Sequence, residues 1–386
     1  MTPTPLGEMR EAVTKLLRLR RDDQPSVDYV IALIGANYLK GYADLTWGWF
    51  TGPPGSCKTE VVRMFRPLDY TYFTSTLTAN ALASGVDRED GKDPSVFAHI
   101  DGKILIIKDF TAAYSDKENT LTKITGDLRD ANDGFYGKES GKVGRRSYDN
   151  QFGLIFCFTG ILDAFAFSKQ CLGERMLVMR VSRTQNPRAE RTAHIRHVWE
   201  AAAGKKEWRD AVAKLVVRCM DEYMKRLGQQ EAGSIIIPDR YAQQLSEIVD
   251  LMVTVRTAPL SNHGLTGDPE VGSRLGLQMH HLGLARLIAD RRTEWDQSDM
   301  DFILRVGVDT LPSFLRRSLQ VLYNSPEAIT PDALAYYANI DGVLVGEIIR
   351  QWRSVGVLDP KKTLLVPDVR QQIEATGLLG PPPASS

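Results

Sequence analysis

Eight consecutive residues constrain this chain more than any others: Gly52-Pro53-Pro54-Gly55-Ser56-Cys57-Lys58-Thr59. They follow an apolar run ending at Phe50 and precede a stretch with helical spacing, Glu60 to Phe65. A glycine-rich turn from strand to helix aims backbone N–H groups and a helix N-terminus at one point, which suits a phosphate. A lysine there neutralises β- and γ-phosphate oxygens, and the following hydroxyl completes a Mg²⁺ shell. Lys58 and Thr59 are expected to take those roles. Gly52, Pro53, Pro54, Gly55, Ser56, Cys57 and Glu60 complete the expected nucleotide contacts, with ATP and Mg²⁺ as the cofactors. The plainer alternative, a Gly/Pro-rich loop with no ligand, does not explain the Lys-Thr pair at the helix start. One position departs from the pattern, because Cys57 stands where a glycine normally precedes the lysine.

The texture around this loop indicates the fold class. Short apolar runs at Thr46 to Thr51, Tyr70 to Thr74, Lys103 to Ile107, Gly153 to Thr159 and Met176 to Val181 alternate with helical or loop segments. That alternation predicts an α/β fold with a parallel sheet flanked by helices. Two helices, Gly7 to Arg21 and Ser26 to Leu39, should precede the first strand. Beyond Val181, helical spacing recurs at Pro187 to Ala202, Trp208 to Leu227, Pro238 to Arg256 and Pro269 to Ala289, a helical lid. The last section reads as helices at Asp309 to Tyr323, Thr330 to Asn339 and Gly342 to Ser354, then an alternating hairpin at Gly356 to Pro367. Three helices and a wing make a C-terminal winged helix. The expected domains are an N-terminal helical element (1–45), the sheet core (46–183), the lid (184–300), the winged helix (301–376) and a disordered tail (377–386).

Composition excludes several classes. With 43% hydrophobic and 25% charged residues, the chain belongs among globular proteins and not among disordered or fibrous ones. Lys+Arg and Asp+Glu both total 48, so nucleic-acid binding would have to come from local patches. No apolar stretch approaches the roughly 20 residues of a membrane span, and the N-terminus does not read as a secretory signal. No membrane partner and a cytoplasmic location are therefore expected. Cys57, Cys157, Cys171 and Cys219 form no CxxC pair and read as reduced thiols.

The run Lys103 to Ile107 leads to Lys108-Asp109-Phe110-Thr111, a buried strand followed by an acid. Asp109 is expected to meet the magnesium or its water, with a strand-end cap as the plainer alternative. Many ATPases carry two consecutive acids here, but Lys108 and Phe110 are the neighbours of Asp109. With the register shifted by one, Asp109 would be the base and the metal would rest on Thr59 and phosphate oxygens; otherwise the base comes from elsewhere.

Between Asp133 and Gln151, cations and aromatic rings crowd a loop whose arms around Ser140-Gly141 predict a hairpin. Lys138, Lys142, Arg145 and Arg146 are candidates to track a phosphate backbone, and Tyr136 or Tyr148 to stack on a base. A solvated charged hairpin is the competing reading. Arg350, Arg353, Lys361 and Lys362 offer a second contact, diluted by Asp341, Glu347 and Asp359.

On GPPGSCKTE at Gly52 to Glu60, IIKDFT at Ile106 to Thr111, LRDANDG at Leu128 to Gly134 and LGERMLVMRV at Leu172 to Val181, the chain resembles the P-loop AAA+ ATPases of bacteriophages and integrated elements. These are similar in layout to superfamily 3 and MCM-type helicases. The resemblance covers about Ser26 to Leu379. It implies that Thr159 senses the γ-phosphate and that Arg175 reaches a neighbouring subunit's nucleotide, unless Arg175 only forms a local salt bridge. It also implies a lid arginine, Arg274 or its competitor Arg286. The function so implied is an oligomeric ATP hydrolase, expected to be a hexamer, that moves on or unwinds DNA in replication of a mobile element. The alternative is a non-unwinding ATP-dependent DNA-binding switch: a helicase loader, a transposition regulator or a defence ATPase.

Overall fold

A computed structural model describes residues 4–19, 21–42, 44–87, 89–110, 118–141, 143–159, 175–181, 192–193, 195–196, 199–200, 204–230, 234–256 and 271–380. The described chain is α/β. Five parallel strands form one sheet: β1 (Trp47–Thr51), β2 (Thr71–Thr74), β3 (Ile104–Ile107), β6 (Gly153–Phe158) and β7 (Met176–Arg180), in the order β2-β3-β6-β1-β7. A separate antiparallel hairpin pairs β4 (Phe135–Ser140) with β5 (Gly144–Asp149). All five sheet strands fall within the runs read from the sequence, because strands covered on both faces are nearly continuous apolar segments.

The chain divides into two compact units. The first draws on residues 1–162, 170–236 and 280–294. Its core begins with β1, buried at all five positions and paired with β6 on one side and β7 on the other. Helix α2 (Pro25–Ala36) lies against that strand. A side chain at Gly48 would collide with Leu33 and Tyr29, so glycine permits the close approach. Tyr29 then donates its hydroxyl to the Leu177 carbonyl at 2.7 Å. Ten residues of α2 are buried, so the expected N-terminal element is part of this unit's core. Helix α1 (Pro5–Leu17) carries Arg10, which bonds Asp28 and Asp290, while Arg286 approaches Asp28 at 3.7 Å. Burial disfavours the Arg10 charge, but the two carboxylates outweigh it and hold the guanidinium pKa above its ordinary value.

Helix α3 (Lys58–Arg63) follows the loop after β1, α4 (Glu118–Ala131) precedes the hairpin, and α5 (Lys205–Gln229) is the long helix of this unit. Tyr223 of α5 fills the space left by Gly35 and donates to the Ala285 carbonyl at 2.7 Å. Ala285 lies on α7 (Ser273–Ala289), whose residues to 279 belong to the second unit.

The second unit takes its described residues from 237–279 and 295–386 and is helical: α6 (Asp239–Arg256), α8 (Gln297–Thr310), α9 (Ser313–Asn324), α10 (Pro331–Ala338), α11 (Gly342–Ser354) and α12 (Pro367–Thr376). Trp352, fully buried, donates its indole N–H to the Val255 carbonyl at 3.0 Å and ties α11 to α6. Arg370 of α12 donates to the carbonyls of Tyr323, Leu322 and Ser325, satisfying the open end of α9.

Several features differ from the sequence reading. The single helix expected at Asp309 to Tyr323 is two, because Leu311-Pro312 ends α8 and starts α9. Helix α8 announces itself through an Asp296/Asp299 capping box, a signal the apolar spacing did not include. The segment 356–367 holds one antiparallel bridge, Leu358 to Leu365, in place of paired strands, and leads into the unforeseen α12. The expected lid range also divides: α5 and residues 280–294 go with the sheet, and α6 with the second unit.

Candidate functional site

Thr51 pairs with Phe158 on one side and Arg180 on the other, so Gly52 leaves β1 between the ends of β6 and β7. The carboxyl ends of parallel strands are where α/β sheets accept ligands, since helix N-termini and strand-end loops converge there. A side chain at Gly52 would come within 2.7 Å of the Val181 carbonyl and 2.9 Å of Ser56 Oγ, so the turn requires glycine. Gly55 takes φ +79, and nothing within 4 Å would meet a Cβ there, so its glycine is required by backbone conformation alone.

Lys58 opens α3, is 7% exposed, and folds its ammonium back into the loop. Nζ donates to the Gly52 carbonyl at 2.6 Å, the Pro53 carbonyl at 3.0 Å and Ser56 Oγ at 3.1 Å. Burial lowers its pKa below the ordinary lysine value, a pull that the Asp109 carboxylate opposes. The Cys157 thiol, buried on β6, is itself pushed up to about 12 by desolvation and stays protonated.

Cys57 sits at φ 67, ψ 6, in the left-handed region. The loop therefore keeps the conformation that glycine would give and accepts the steric cost of a β-carbon, on the order of 1 kcal/mol. Cys57→Gly is expected to raise unfolding stability by roughly 0.5 kcal/mol, the relief of strain being partly offset by the freer unfolded chain. Urea unfolding checks this; a lower midpoint for the glycine variant would show that the thiol contributes packing that outweighs the strain.

Asp109 lies two positions beyond β3 and is exposed, on the side of β6 that leads to Thr159. Phe110 turns inward, fully buried, stacked on Phe156 at 4.5 Å and edge-on to Phe158 at 5.2 Å. Its N–H bonds the Cys157 carbonyl at 3.0 Å, which fixes Asp109 as the outward residue of the pair. Thr159 directly follows β6, half-buried, one step past the Thr51 and Phe158 pair. The structure thus brings Lys58, Asp109 and Thr159 to one edge of the sheet. Thr59 is half-buried in the first turn of α3.

Arg175 precedes β7, is 20% exposed and lies 4.0 Å from Asp133. Arg274 belongs to the second unit, and its competitor Arg286 is engaged with Asp28. One residue that the sequence reading missed stands closer to the loop. Arg209 of α5 grips both carboxylate oxygens of Glu60, with Nε to Oε2 at 3.1 Å. Glu60, expected as a nucleotide contact, is in this arrangement a tether between α3 and α5. The 149-residue separation left no local signal for that pairing.

The hairpin forms where expected, and its period of two sorts the candidate DNA contacts into two faces. The inward face carries Tyr136, Lys138, Arg146 and Tyr148. Arg146 donates to Asp93 at 2.7 Å and the Ser84 carbonyl at 3.0 Å, and also pairs with Asp87. Lys138 donates to the Ala83 carbonyl at 2.8 Å. Tyr136 bonds Asp127 at 2.9 Å and Tyr148 bonds Asp93 at 2.6 Å, and both rings pack on Phe97. Burial works against the Asp93 charge, but hydrogen bonds from Ser95 and Tyr148 and the Arg146 guanidinium outweigh it and hold its pKa below the carboxylate norm. Lys138 and Arg146 are thus committed to the loop at 83–95 and do not face outward, and Tyr136 is buried. Arg145 is on the outward face, 69% exposed, with Glu139 at 3.8 Å. Lys142 lies outside the described residues, as does Cys171.

Among the described residues there is no group of three or more His, Cys, Asp or Glu side chains that could hold a metal ion, and no helix is long and apolar enough to cross a membrane. No protein-family model matches the chain, and a search of curated proteins finds no match.

Proposed function

We propose that the chain is a P-loop nucleoside triphosphatase of AAA+ type that binds ATP at Gly52 to Thr59. The observation that carries the reading is the buried Lys58 ammonium, held by three acceptors of its own loop at the carboxyl edge of a parallel sheet. Those acceptors hold the ammonium inside the turn, and a phosphate oxygen entering the loop would displace one of them and take over its N–H donor. A hard, oxygen-seeking Mg²⁺ fits the donors present, because such an ion uses one or two carboxylates plus the substrate's phosphates and needs no all-protein cage. Thr59 and Asp109 would hold it, and bound there it would supply charge neutralisation to the phosphates. Lys58 would neutralise β- and γ-oxygens, and Thr159 would orient the terminal phosphate by hydrogen bonding. The loop's backbone N–H groups would fix the phosphate chain in place.

The reading extends to an oligomer, with hexamers the expected size, that moves on or unwinds DNA in a mobile element's replication. Arg175 would complete a neighbouring subunit's site by exchanging Asp133, a weak partner at 4.0 Å, for the developing phosphate charge. On the hairpin, the DNA contact falls to the outward face with Arg145. The test is ATP turnover with and without single-stranded DNA, together with strand separation; absence of both stimulation and unwinding would overturn the motor reading. Arg175→Ala is expected to lower turnover by roughly 10³-fold with nucleotide binding intact, the range for an arginine supplied in trans. Weakened binding at unchanged turnover would return Arg175 to a structural role.

A second reading is favoured by Phe110. With a core phenylalanine beside Asp109, the chain has one acid where fast ATPases carry two, and slow turnover suits a nucleotide-dependent DNA-binding switch such as a helicase loader, a transposition regulator or a defence ATPase. Turnover that stays slow when DNA is added, with DNA affinity differing between ATP and ADP, would favour the switch.

A further inference from the structure

The first unit holds a cleft of about 410 Å³, lined in part by Glu222, Arg226, Gln230, Arg291, Arg292 and Thr293. Three arginines and one carboxylate, Glu222, line it. Arg226 and Arg291 both bond the same oxygen of Glu222, the first at 2.5 Å. Arg292 approaches Asp290 at 3.8 Å. Cations at helix ends balance the dipoles of α5 and α7, and that accounts for basic residues in general. It does not account for where Arg291 sits. The end of α7 closes through Arg292 N–H to the Leu287 carbonyl at 3.1 Å, leaving Arg291 at φ 59. Glycine is the usual residue at such a left-handed helix end. An arginine in this conformation bears a steric cost and in exchange aims its fork into the cleft.

We propose that this cleft is a binding site for a phosphate group, held by Arg226, Arg291 and Arg292, with Glu222 as the resident carboxylate that the phosphate displaces. The chemistry follows from the donors. Planar guanidinium forks match carboxylate and phosphate oxygens, and two of them now share one oxygen of Glu222. A phosphate offers three acceptor oxygens, so each fork gains its own. Gln230 and Thr293 line the same cleft with neutral polar side chains. The site is separate from the loop at Lys58, none of whose residues lines it, and it stands whether or not that loop binds a triphosphate.

The test is calorimetric titration of inorganic pyrophosphate into the full chain carrying Lys58→Ala, which removes the loop lysine from the readout. Binding is expected to persist there. Adding Arg291→Gly is expected to weaken it by about tenfold, the scale of one charge-assisted hydrogen-bond donor, while the unfolding midpoint rises as left-handed strain is relieved. Adding Glu222→Gln is expected to tighten binding severalfold, since the competing carboxylate is gone while the side-chain volume stays. No pyrophosphate binding in the Lys58→Ala chain, or binding indifferent to both further changes, would overturn the proposal. Oligothymidylate that competes with pyrophosphate would support a nucleic-acid backbone as the phosphate source; no competition would support a free phosphate compound.

Discussion

ATP turnover by the Lys58→Ala chain is expected to fall at least about a hundredfold, and to be the largest activity loss of any single substitution in the loop. The ammonium is the one positive charge the loop buries, and its bonds to the Gly52 and Pro53 carbonyls and Ser56 Oγ preshape the turn before any ligand arrives. Removing it withdraws charge stabilisation from the transferring phosphate and leaves three acceptors without their donor. The second effect predicts a stability loss on the order of 1–3 kcal/mol. Lys58→Met keeps the apolar stem and separates the two: turnover should stay low while packing around the stem is retained. Steady-state turnover and nucleotide binding, read beside urea midpoints, check both. Full turnover in a folded Lys58→Ala chain would remove the loop from the chemistry.

Phe110→Glu is expected to destabilise the fold by about 4 kcal/mol or more and to add no catalysis. On the sequence alone, the substitution restores the paired acids of fast ATPases. In the structure, the ring is fully buried between Phe156 and Phe158, with its backbone N–H bonded to the Cys157 carbonyl. A carboxylate there loses the ring's packing, about 3–5 kcal/mol for a truncated core phenylalanine, and adds an unpaired charge in an apolar pocket. A lowered urea midpoint with no gain in turnover is the expected result. A stable variant with faster turnover would mean that position 110 can reach solvent and that the acid was missing only by sequence.

Much of the sheet was legible because its signal is local. Runs such as Ile104–Ile107 and Gly153–Phe158 are apolar at nearly every position, as strands covered on both faces require, and the turn at Gly52 to Thr59 carries its own punctuation. The hairpin was legible for the same reason, through arms that alternate about Ser140-Gly141. Which face of it looks outward was not legible. That depended on Asp93, Ser95 and Phe97, about 50 residues earlier, whose bonds to Arg146 and Tyr148 no periodicity reports. Helices α8 and α12 were missed although their caps were in view: the Asp296/Asp299 box for one, Pro367 and Gly377 for the other. Apolar spacing runs unbroken across Pro312 and carries no capping signal.

By itself, then, the sequence determined the α/β class, the five strands, the lysine-bearing turn and the oddity of Cys57 in it, since each follows from interactions within a few residues. The tertiary structure decided the rest: that Phe110 is core and Asp109 outward, that Glu60 is tied to Arg209, that Arg146 and Lys138 face inward, and that Arg226 and Arg291 converge on Glu222. Each of these is a choice among partners far apart along the chain, made by packing and charge pairing in the folded state, where local spacing carries no information.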